Sequence, residues 1–435
     1  MFVYQALLQR ATQDRPVRVG LIGAGKFGSM FLSQVPNTPG LEVSMIADLD
    51  PQRARDACRE TGWSDDRVTD CRFTDEVEQL VNSNVVDVVV EATGNPVAGV
   101  KHARQAFKGG KHVVMVNVEA DALVGAVLAR EAQQAGVVYS MAYGDQPALT
   151  CEMVEWARAC GFEVVAAGKG TKYLPAYHAS TPDTVWDHYG LTAEQARAAG
   201  MNSKMFNSFL DGTKSALEMC AIANATGLKP PPDGLRFPAC GVDELAEQLR
   251  PAAEGGQLHH KGQVEVVSSL HRDGQDVLRD LRWGVYVVIE APNDYAAACF
   301  RQYGMNTDTS GRYSAMYKPF HLIGLELNIS ILSAALLKQP TGSNLGFVAD
   351  VAATAKSDLD PGTQLDGEGG YTVYGRLLPA AVSLQHNCLP IGLADRVTLT
   401  RKIHKGETIS WDDVAPLSDC EALQLRQQLQ NGHNL

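Results

Sequence analysis

Apolar and polar residues alternate in blocks along the first 150 residues. An apolar run over 17–22 precedes a glycine turn and a helical pattern, and the apolar segments LEVSMIAD, VVDVVVEATG, KHVVMVNVEA and VVYSMAYGD follow it. Helical patterns such as VAGVKHARQAFKGG lie between these segments. Short buried strands that alternate with helices are typical of a doubly wound parallel sheet. The pattern therefore predicts an α/β fold whose first domain covers residues 1–150.

A glycine motif joins the first predicted strand to the first predicted helix. Gly23, Gly25 and Gly28 are spaced as G-x-G-x-x-G, and Lys26 and Phe27 open the helix. Glycine permits the sharp turn and lets backbone N–H groups approach a pyrophosphate at the positive end of the helix. Because a strand precedes the motif and a helix follows it, the sequence predicts a Rossmann dinucleotide-binding domain.

Polar residues after the later strands fall on the same side of the predicted sheet. Asp48 ends the second strand, where a carboxylate accepts hydrogen bonds from a ribose diol and repels a 2′-phosphate, which favours NAD. Arg53 or Arg55 would compensate for that repulsion if its side chain lay over the ribose. The cofactor prediction is therefore NAD or NADP. The other cofactor-binding candidates that follow strands are Thr93, Gly94 and Asn117.

The pattern changes after residue 150, where an α+β domain is predicted over 151–340. The strand-like run FEVVAAGKGTKYLPAYH ends with Lys169 and Lys172 among glycines. These lysines either hold an anionic group of a substrate or lie in a flexible surface loop. Further along, Lys318 stands in RYSAMYKPFHLIGLELNISILSAALL, at the start of what we interpret as a long apolar helix.

The segment FNSFLDGTKSALEMCAIANATG places charged residues among apolar ones. Lys204, Asn207, Asp211, Lys214 and Glu218 are three or four residues apart and share one side of a single predicted helix. A narrow polar stripe on an apolar helix suits the wall of an internal site. The alternatives are ordinary ion pairs on a solvated face, or a helix that begins here with Asp211 as its N-cap.

Short β runs and glycines characterise the last part of the chain, which predicts a small β domain over 341–435. Two segments repeat an apolar residue, a glycine three positions on and an apolar residue three further on, which predicts two related β-turn units. Their positions are Leu359/Gly362/Leu365 and Ile403/Gly406/Ile409. Between them LDGEGGYTVYG follows no strand-to-helix pattern, so we do not interpret it as a phosphate loop.

Composition narrows the classes of partner. The 435 residues carry a net charge of −12, which argues against nucleic acid or an anionic membrane as the main partner. Nine cysteines without a CxxC pair or a metal-finger spacing suit a reducing compartment. The N-terminal segment has no basic region followed by an apolar region, and no apolar run is long enough to span a bilayer. We therefore expect a cytoplasmic protein.

Several motifs together resemble a known group of enzymes. GLIGAGKFGSMF, VVVEATGNP, VMVNVEADALVG, YGDQP, FLDGTKSALEM and MYKPFHLIGLE are similar to homoserine-dehydrogenase-like NAD(P) oxidoreductases that end in a SAF domain. The nearest group is the deoxyxylulose-5-phosphate reductoisomerase-like (DRL) family, and LTRKIHKGETISWDDV resembles the SAF tail. The resemblance implies a Rossmann domain, a catalytic domain that mediates homodimer formation and a C-terminal β domain.

The resemblance also implies site residues. Homoserine dehydrogenases place a catalytic lysine and a nearby acid on the helix that matches FLDGTKSALEM, which assigns Lys214 and Asp211, with Glu218 as a further acid on the stripe. A second lysine of those enzymes follows an Asn after the strand that matches VVMVN, but here Val118 and Glu119 stand there. This departure argues against a simple homoserine-type mechanism.

These features lead to three functional hypotheses. The first is an oxidoreductase or reductoisomerase for a small anionic hydroxy or keto compound, similar to the enzymes that convert deoxyxylulose 5-phosphate to methylerythritol 4-phosphate. The second is a plain dehydrogenase of a sugar acid or homoserine-like alcohol, and the third is a non-catalytic, cofactor-bound sensor. A reductoisomerase step would use Mg²⁺ or Mn²⁺, for which Asp145, Glu119 and Glu218 are the candidate ligands. The candidates for substrate binding are Lys169, Lys172, Lys204, Asp145 and Lys318.

Overall fold

Strands and helices alternate through the computed structural model, which describes residues 3–431. The strands are β1 Val17–Ile22, β2 Leu41–Ala47, β3 Arg72–Thr74, β4 Val88–Glu91, β5 His112–Met115, β6 Tyr139–Met141, β7 Glu163–Thr171, β8 Gln263–Ser268, β9 Val285–Glu290, β10 Tyr313–Lys318, β11 Ala349–Ala355, β12 Gln364–Asp366, β13 Val373–Pro379 and β14 Asp395–Thr398. The helices are α1 Val3–Thr12, α2 Lys26–Gln34, α3 Pro51–Glu60, α4 Asp65–Asp70, α5 Val77–Val81, α6 Pro96–Lys108, α7 Val118–Gln134, α8 Gln146–Ala159, α9 Val185–Tyr189, α10 Ala193–Ala198, α11 Ser203–Leu210, α12 Thr213–Thr226, α13 Leu245–Gln248, α14 Asp294–Gln302, α15 Asn328–Leu332, α16 Ala380–Gln385 and α17 Glu421–Gln430. Within the described part of the chain, no helix has both the length and the apolar composition needed to cross a bilayer.

The first six strands form one parallel sheet in the order β3-β2-β1-β4-β5-β6. The chain leaves β1 on one side to form β2 and β3, and then returns to place β4 against the other side of β1. Strand order therefore reverses at β1, and in sheets of this kind ligands bind beyond the carboxyl ends of the strands at that point. The predicted α/β fold with a doubly wound parallel sheet is confirmed.

The chain divides into two compact units. The first comprises residues 3–152, 321–345 and 420–431, and the second comprises 153–320 and 346–419. The boundaries predicted from the sequence, at 150/151 and 340/341, remain predictions.

The first unit has an apolar core built from both the sheet and the helices. Leu21 on β1, Phe31 on α2 and Ile331 on α15 are almost completely buried in it. The chain after α15 returns to the edge of the sheet, where the N–H of Met141 donates to the carbonyl of Gly342 at 2.7 Å. This return covers the otherwise open edge at β6.

The predicted long apolar helix around 318–337 is wrong. Residues Tyr313–Lys318 form β10, and only the short α15 and a π-helical turn, Ser333–Leu337, follow further along. In RYSAMYKP the side chains of Tyr313 and Ala315 pack on the same core face, which is the period of a strand. Pro319 then prevents a helix from continuing across this segment.

The second unit is organised around α12. A four-stranded sheet in the order β10-β9-β7-β8 supports one side of this helix, and the antiparallel pair β11 and β13 supports another. Every residue of α12 is buried except Lys214, which is partly exposed. The helix is therefore an internal element whose charged groups require partners inside the protein.

The two predicted β-turn units lie side by side in the structure. Leu359 and Ile403 exchange backbone hydrogen bonds of 2.8 and 2.9 Å. Gly362 and Gly406 have φ angles of +86° and +80°, in the left-handed region where glycine is favoured. The two copies of the repeated sequence pattern therefore form two turns that pair with each other.

A buried carboxylate on β8 secures the loop before it. Glu265 accepts the backbone N–H groups of Arg236, Phe237 and Val266 at 3.1, 3.3 and 2.9 Å. Phe237 has a φ of +51°, an uncommon backbone angle for a bulky residue. Burial raises the pKa of Glu265 to about 7, although the three N–H groups oppose this shift.

We predict that Glu265 makes stability fall as the pH rises through neutrality. Because the pKa of Glu265 is higher in the folded state, its protonated carboxyl stabilises the protein fully when the pH is below the unfolded-state pKa, near 4.5. This contribution is lost as the pH rises through about 7. Gln at position 265 stays neutral at every pH. In Glu265→Gln the decrease in the free energy of unfolding between pH 4.5 and 7.5, measured in urea, should therefore be smaller by on the order of 2–3 kcal/mol. Glu194→Gln, at an exposed position, is the matched control. Equal pH slopes for the wild type and Glu265→Gln would contradict the assignment.

Candidate active site

The three motif glycines of the first unit have different surroundings. Gly23 has a φ of +94°, and a Cβ there would lie 2.8 Å from the carbonyl oxygen of Ala92. A Cβ on Gly28 would lie 2.7 Å from the carbonyl oxygen of Gly23, so this glycine lets α2 pack on the turn. Gly25 precedes the first residue of α2, and a Cβ there would meet nothing within 4 Å.

The open space over Gly25 adjoins the N-terminus of a nine-residue helix. Lys26 at its start is exposed, whereas Phe27 packs partly against the core. A helix N-terminus presents free N–H groups and the positive end of the helix dipole, which favours an anion such as a pyrophosphate. The residues present therefore fit a dinucleotide at this turn.

Asp48 braces the glycine turn. Its Oδ2 accepts the N–H of Ala24 at 2.8 Å, and its Oδ1 accepts the N–H of Asp50 at 3.0 Å and Nη2 of Arg53 at 2.7 Å. The Asp48 side chain is only 3 % exposed, whereas that of Arg53 is 62 % exposed. Binding of the ribose by Asp48 remains a prediction. In the structure the exposed group next to this carboxylate is the guanidinium of Arg53.

The remaining cofactor candidates shape the loops after β4 and β5. Thr93 donates from Oγ1 to Glu91 at 2.6 Å, and Gly94 has a φ of +68°. Asn117 caps α7 and donates from Nδ2 to the carbonyl of Asn95 at 2.8 Å. These residues lie at the carboxyl ends of the strands, as the sequence predicts, and they hold the two loops together.

The polar stripe of the second unit does not lie on one helix. α11 ends at Leu210, Gly212 has a φ of +89°, and α12 begins at Thr213. The prediction of a single helix through Lys204 and Glu218 is therefore wrong, because the left-handed backbone at Gly212 ends one helix before the next begins. Asp211 accepts the N–H of Thr213 at 2.9 Å. This bond resembles the alternative prediction, in which Asp211 is the N-cap of a new helix.

Glu218 is paired with a lysine from the sheet. The ammonium of Lys169 on β7 donates a hydrogen bond to the carboxylate of Glu218 on α12, and both side chains are buried. Lys169 lies within a strand, so the alternative that it belongs to a flexible surface loop is wrong. Gly168 and Gly170 flank it because a Cβ at either position would lie 1.9 Å from a backbone oxygen of a neighbouring segment.

Asp211 is paired with a lysine that the sequence analysis did not single out. Lys356, directly after β11, places its ammonium 2.7 Å from Asp211, and the two side chains are 2 % and 0 % exposed. The same ammonium donates to the carbonyls of Ser180 and Gly370 at 2.8 and 2.7 Å. Burial raises the pKa of Asp211, and the Lys356 charge opposes that shift. Lys356 ends an apolar strand-like run, ADVAATAK, which is the one local signal that could have identified it.

A partly buried histidine joins this cluster. His178 shares a hydrogen bond of 2.7 Å between its Nδ1 and the carbonyl of Asp211, and one of 2.9 Å between its Nε2 and the hydroxyl of Tyr173. Its ring stacks on Tyr374 at a centroid distance of 4.4 Å. Burial lowers the pKa of His178, which favours the neutral imidazole.

The other predicted substrate residues lie in several places. Lys172 donates to the carbonyl of His188 at 2.6 Å, and burial lowers its pKa. Lys204 donates to the carbonyl of Asp366 at 2.5 Å, and Lys318 ends β10. Within the second unit the structure thus brings Lys169 and Glu218 into contact, while Lys172 and Lys204 bind backbone carbonyls.

The proposed metal ligands are not brought together as a cluster. Among residues 3–431 no group of three or more His, Cys, Asp or Glu side chains is arranged to hold a metal ion. Glu218 binds Lys169, and Asp145 accepts the N–H of Gln146 at 2.9 Å. The donor set therefore does not support the predicted Mg²⁺ or Mn²⁺.

Two protein-family models match parts of the chain. Residues 17–116 match "Oxidoreductase family, NAD-binding Rossmann fold", and residues 144–327 match "Oxidoreductase DRL, catalytic domain". The glycine turn and Asp48 lie in the first match. All the predicted catalytic and substrate-binding residues, Asp145 included, lie in the second match.

Similar proteins share parts of the chain. Inositol 2-dehydrogenase 2 from Paenarthrobacter aurescens is 37 % identical over 79 residues, which is 18 % of this chain and 21 % of that protein. Biliverdin reductase from Synechocystis, in complex with biliverdin and NADP⁺, is 20 % identical with a TM-score of 0.27 and matches 37 % of this chain and 48 % of that one. Apo scyllo-inositol dehydrogenase from Lactobacillus casei is 12 % identical with a TM-score of 0.27 and matches 37 % and 47 %. The chain thus spans about half or less of the length of these relatives.

We predict that the Lys169–Glu218 pair is strongly coupled in stability. Lys169→Met leaves the Glu218 carboxylate buried without its cation and should destabilise the protein by about 3–5 kcal/mol in urea unfolding. Lys169→Met/Glu218→Met removes both charges and should recover most of that loss. If the double variant instead loses the sum of the two single losses, the pair is not coupled.

Proposed function

We propose that this protein is an NAD(P)-dependent oxidoreductase that acts on a small anionic hydroxy or keto compound. The open helix N-terminus at Gly25 carries this proposal, since its geometry fits a pyrophosphate. The two matched oxidoreductase models, one for each part of the chain, support it. A bound nicotinamide would accept the hydride in an oxidation or supply it in a reduction, and the protein supplies binding, orientation and proton handling.

In this proposal Lys214 handles the proton of the reacting oxygen. Oxidation of an alcohol requires a group that takes its proton, and reduction of a ketone requires one that supplies it. Lys214 is the partly exposed position of the otherwise buried α12. Glu218 lies one helical turn further along the same face of α12, and its carboxylate holds the ammonium of Lys169.

Asp211 acts in this scheme as a positioning residue. Its carboxylate is shared between the ammonium of Lys356 and the N–H of Thr213, the first residue of α12. It therefore fixes where α12 begins, one residue before Lys214. In this proposal Asp211 and Glu218 do not take the catalytic roles predicted for them. Asp211 holds Lys356 in position, and Glu218 holds Lys169.

The preferred substrate is a phosphorylated or carboxylated compound. The candidates for substrate contact are Lys169, Lys172, Lys204, Lys318 and Asp145. We propose a DRL-like reductoisomerase as the finer assignment and a plain dehydrogenase as the alternative. The match of residues 144–327 favours the first, and an intact carbon skeleton in the product would favour the second.

The remaining parts of the resemblance are also proposals. We propose a homodimer, a catalytic domain over 151–340 and a SAF-like domain over 341–435. Support for the last comes from the paired turns at Leu359 and Ile403. A non-catalytic sensor is the alternative if no substrate reacts.

We predict that Lys214→Ala abolishes most of the turnover while cofactor binding survives. A screen of phosphorylated sugars and sugar acids with NAD(H) and NADP(H), with and without Mg²⁺, identifies the substrate by nicotinamide absorbance. With that substrate, kcat should fall by about 10²–10⁴, the usual contribution of a general acid or base. Lys402→Ala, an exposed lysine in the second unit, is the control. Unchanged kcat in Lys214→Ala would remove this residue from the mechanism.

We predict that Gly25→Val folds but binds dinucleotide at least about tenfold more weakly. A Cβ at Gly25 meets no protein atom within 4 Å, so the added side chain occupies space that the pyrophosphate needs. Gly28→Val is the matched comparison and should unfold at a lower temperature, because its Cβ meets the carbonyl of Gly23 at 2.7 Å. Fluorescence titration with NADH and NADPH measures the binding, and wild-type affinity in Gly25→Val would contradict the assigned turn.

A further inference from the structure

A second concave site lies in the second unit, at the other end of β7 and α12 from the Lys169–Glu218 pair. The cavity has a volume of about 710 Å³, within the usual range for small-molecule sites. Five of its lining residues are basic and come from three separate segments of the chain. They are Arg158, Lys229, His259, His260 and Lys261.

Only some of the basic side chains of the cavity are paired with acids. Lys261 is held by Glu290 at 2.7 Å and Glu254 at 3.4 Å, but neither carboxylate belongs to the lining. Lys229 makes no ion pair within 4 Å in the part of the chain that the structure describes. The one acid in the lining is Glu163. With Lys261 compensated and both histidines neutral, the charges of Arg158 and Lys229 against that of Glu163 leave the lining with a net charge of +1.

Arg158 is positioned by the end of α12. Its Nη1 donates to the carbonyl of Thr226, the last residue of that helix, at 2.7 Å. This bond satisfies a carbonyl at the negative end of the helix dipole, which would otherwise disfavour an anion in the cavity. The rest of the planar guanidinium fork remains for a ligand oxygen.

The two histidines lie side by side in the lining. Their Nδ1 atoms lie 3.3 Å apart. The pKa of His260 is lowered by burial and by the nearby His259 and Lys229. A hydrogen bond to the carbonyl of Lys229 partly raises it again. A bound anion would relieve this like-charge repulsion.

The floor of the cavity is apolar. Val164 and Leu228 are buried beneath it, and the ring of Phe162 lies against those of Trp156 and Phe300 at centroid distances of 5.9 and 5.7 Å. An apolar floor with charged walls suits a ligand that has an organic body and an anionic group. A phosphate accepts several charge-assisted hydrogen bonds at once, which suits a site that has more than one cation.

The cavity is separate from the Lys169–Glu218 pair but joined to it by two elements. Val164 is five residues before Lys169 on β7, a distance of roughly 17 Å along a strand. Gly227 is nine residues after Glu218 on α12, a distance of roughly 13 Å along a helix. A ligand here would contact the far ends of the elements that hold the catalytic candidates.

We propose that this cavity binds a small phosphate-bearing compound with an apolar or aromatic body, as a site additional to the cofactor and substrate sites. Lys229, Arg158 and the two histidines bind the phosphate, and Phe162, Val164 and Leu228 contact the organic body. The proposal does not rest on the oxidoreductase function, because the cavity lies wholly within the second unit and contains none of the catalytic candidates.

Calorimetric titration of the full chain with phenyl phosphate tests this site. The wild type should bind phenyl phosphate more tightly than inorganic phosphate, because only the first reaches the apolar floor. Lys229→Ala and His259→Ala change exposed side chains, and each should weaken binding about tenfold or more through the loss of a hydrogen-bonding contact to the phosphate. Lys402→Ala and Gly25→Val should bind as the wild type does, and thermal unfolding confirms that each variant is folded.

Each other outcome counts against the site. Absence of binding to the wild type, or unchanged affinity in both Lys229→Ala and His259→Ala, overturns the proposal. Equal weakening by Lys402→Ala indicates nonspecific charge attraction, and loss of binding in Gly25→Val places the phosphate on the glycine turn of the first unit. None of these readings requires turnover, so a failure here is distinguishable from a failure of the proposed function.

Discussion

Burial of charge around α12 is the constraint on which the second unit depends. The helix packs against β7 and β8 on one side and against β11 and β13 on another, so acids at its start and middle are removed from water. An unpaired buried charge costs several kcal/mol, and each acid is accordingly paired with a lysine from a distant segment. Lys169 ties β7 to the middle of α12, and Lys356 ties the end of β11 to its start.

The same pairs determine what is available for chemistry. Asp211 and Glu218 are occupied by ammonium groups, and Lys214 is the position of α12 that reaches a less buried environment. In the first unit Asp48 is comparable, because its oxygens hold the glycine turn and Arg53. In both units the carboxylates that the sequence suggests as site residues instead hold the candidate reactive or ligand-binding elements in place.

The glycine-rich segment LDGEGGYTVYG illustrates how tertiary contacts define a loop. The sequence analysis excludes a phosphate loop there, and the structure gives the loop a different role. Asn207 of α11 donates to the carbonyl of Gly369 at 2.9 Å, and Lys356 donates to that of Gly370. A Cβ on Gly369 would lie 2.0 Å from the carbonyl oxygen of Lys204. The glycines are there because α11 approaches the loop backbone closely.

The sequence by itself determined the parallel sheet, the glycine turn and the two related β-turns, because strand and helix periods and left-handed glycines are local properties. It placed Lys214 and Glu218 on one helix face for the same reason. Only the tertiary structure decided that Gly212 separates two helices, that Asp211 pairs with Lys356 and Glu218 with Lys169, and that five basic side chains surround one cavity. Those partners are 145 and 49 residues away from the acids that they neutralise, and no local period specifies which distant residues meet.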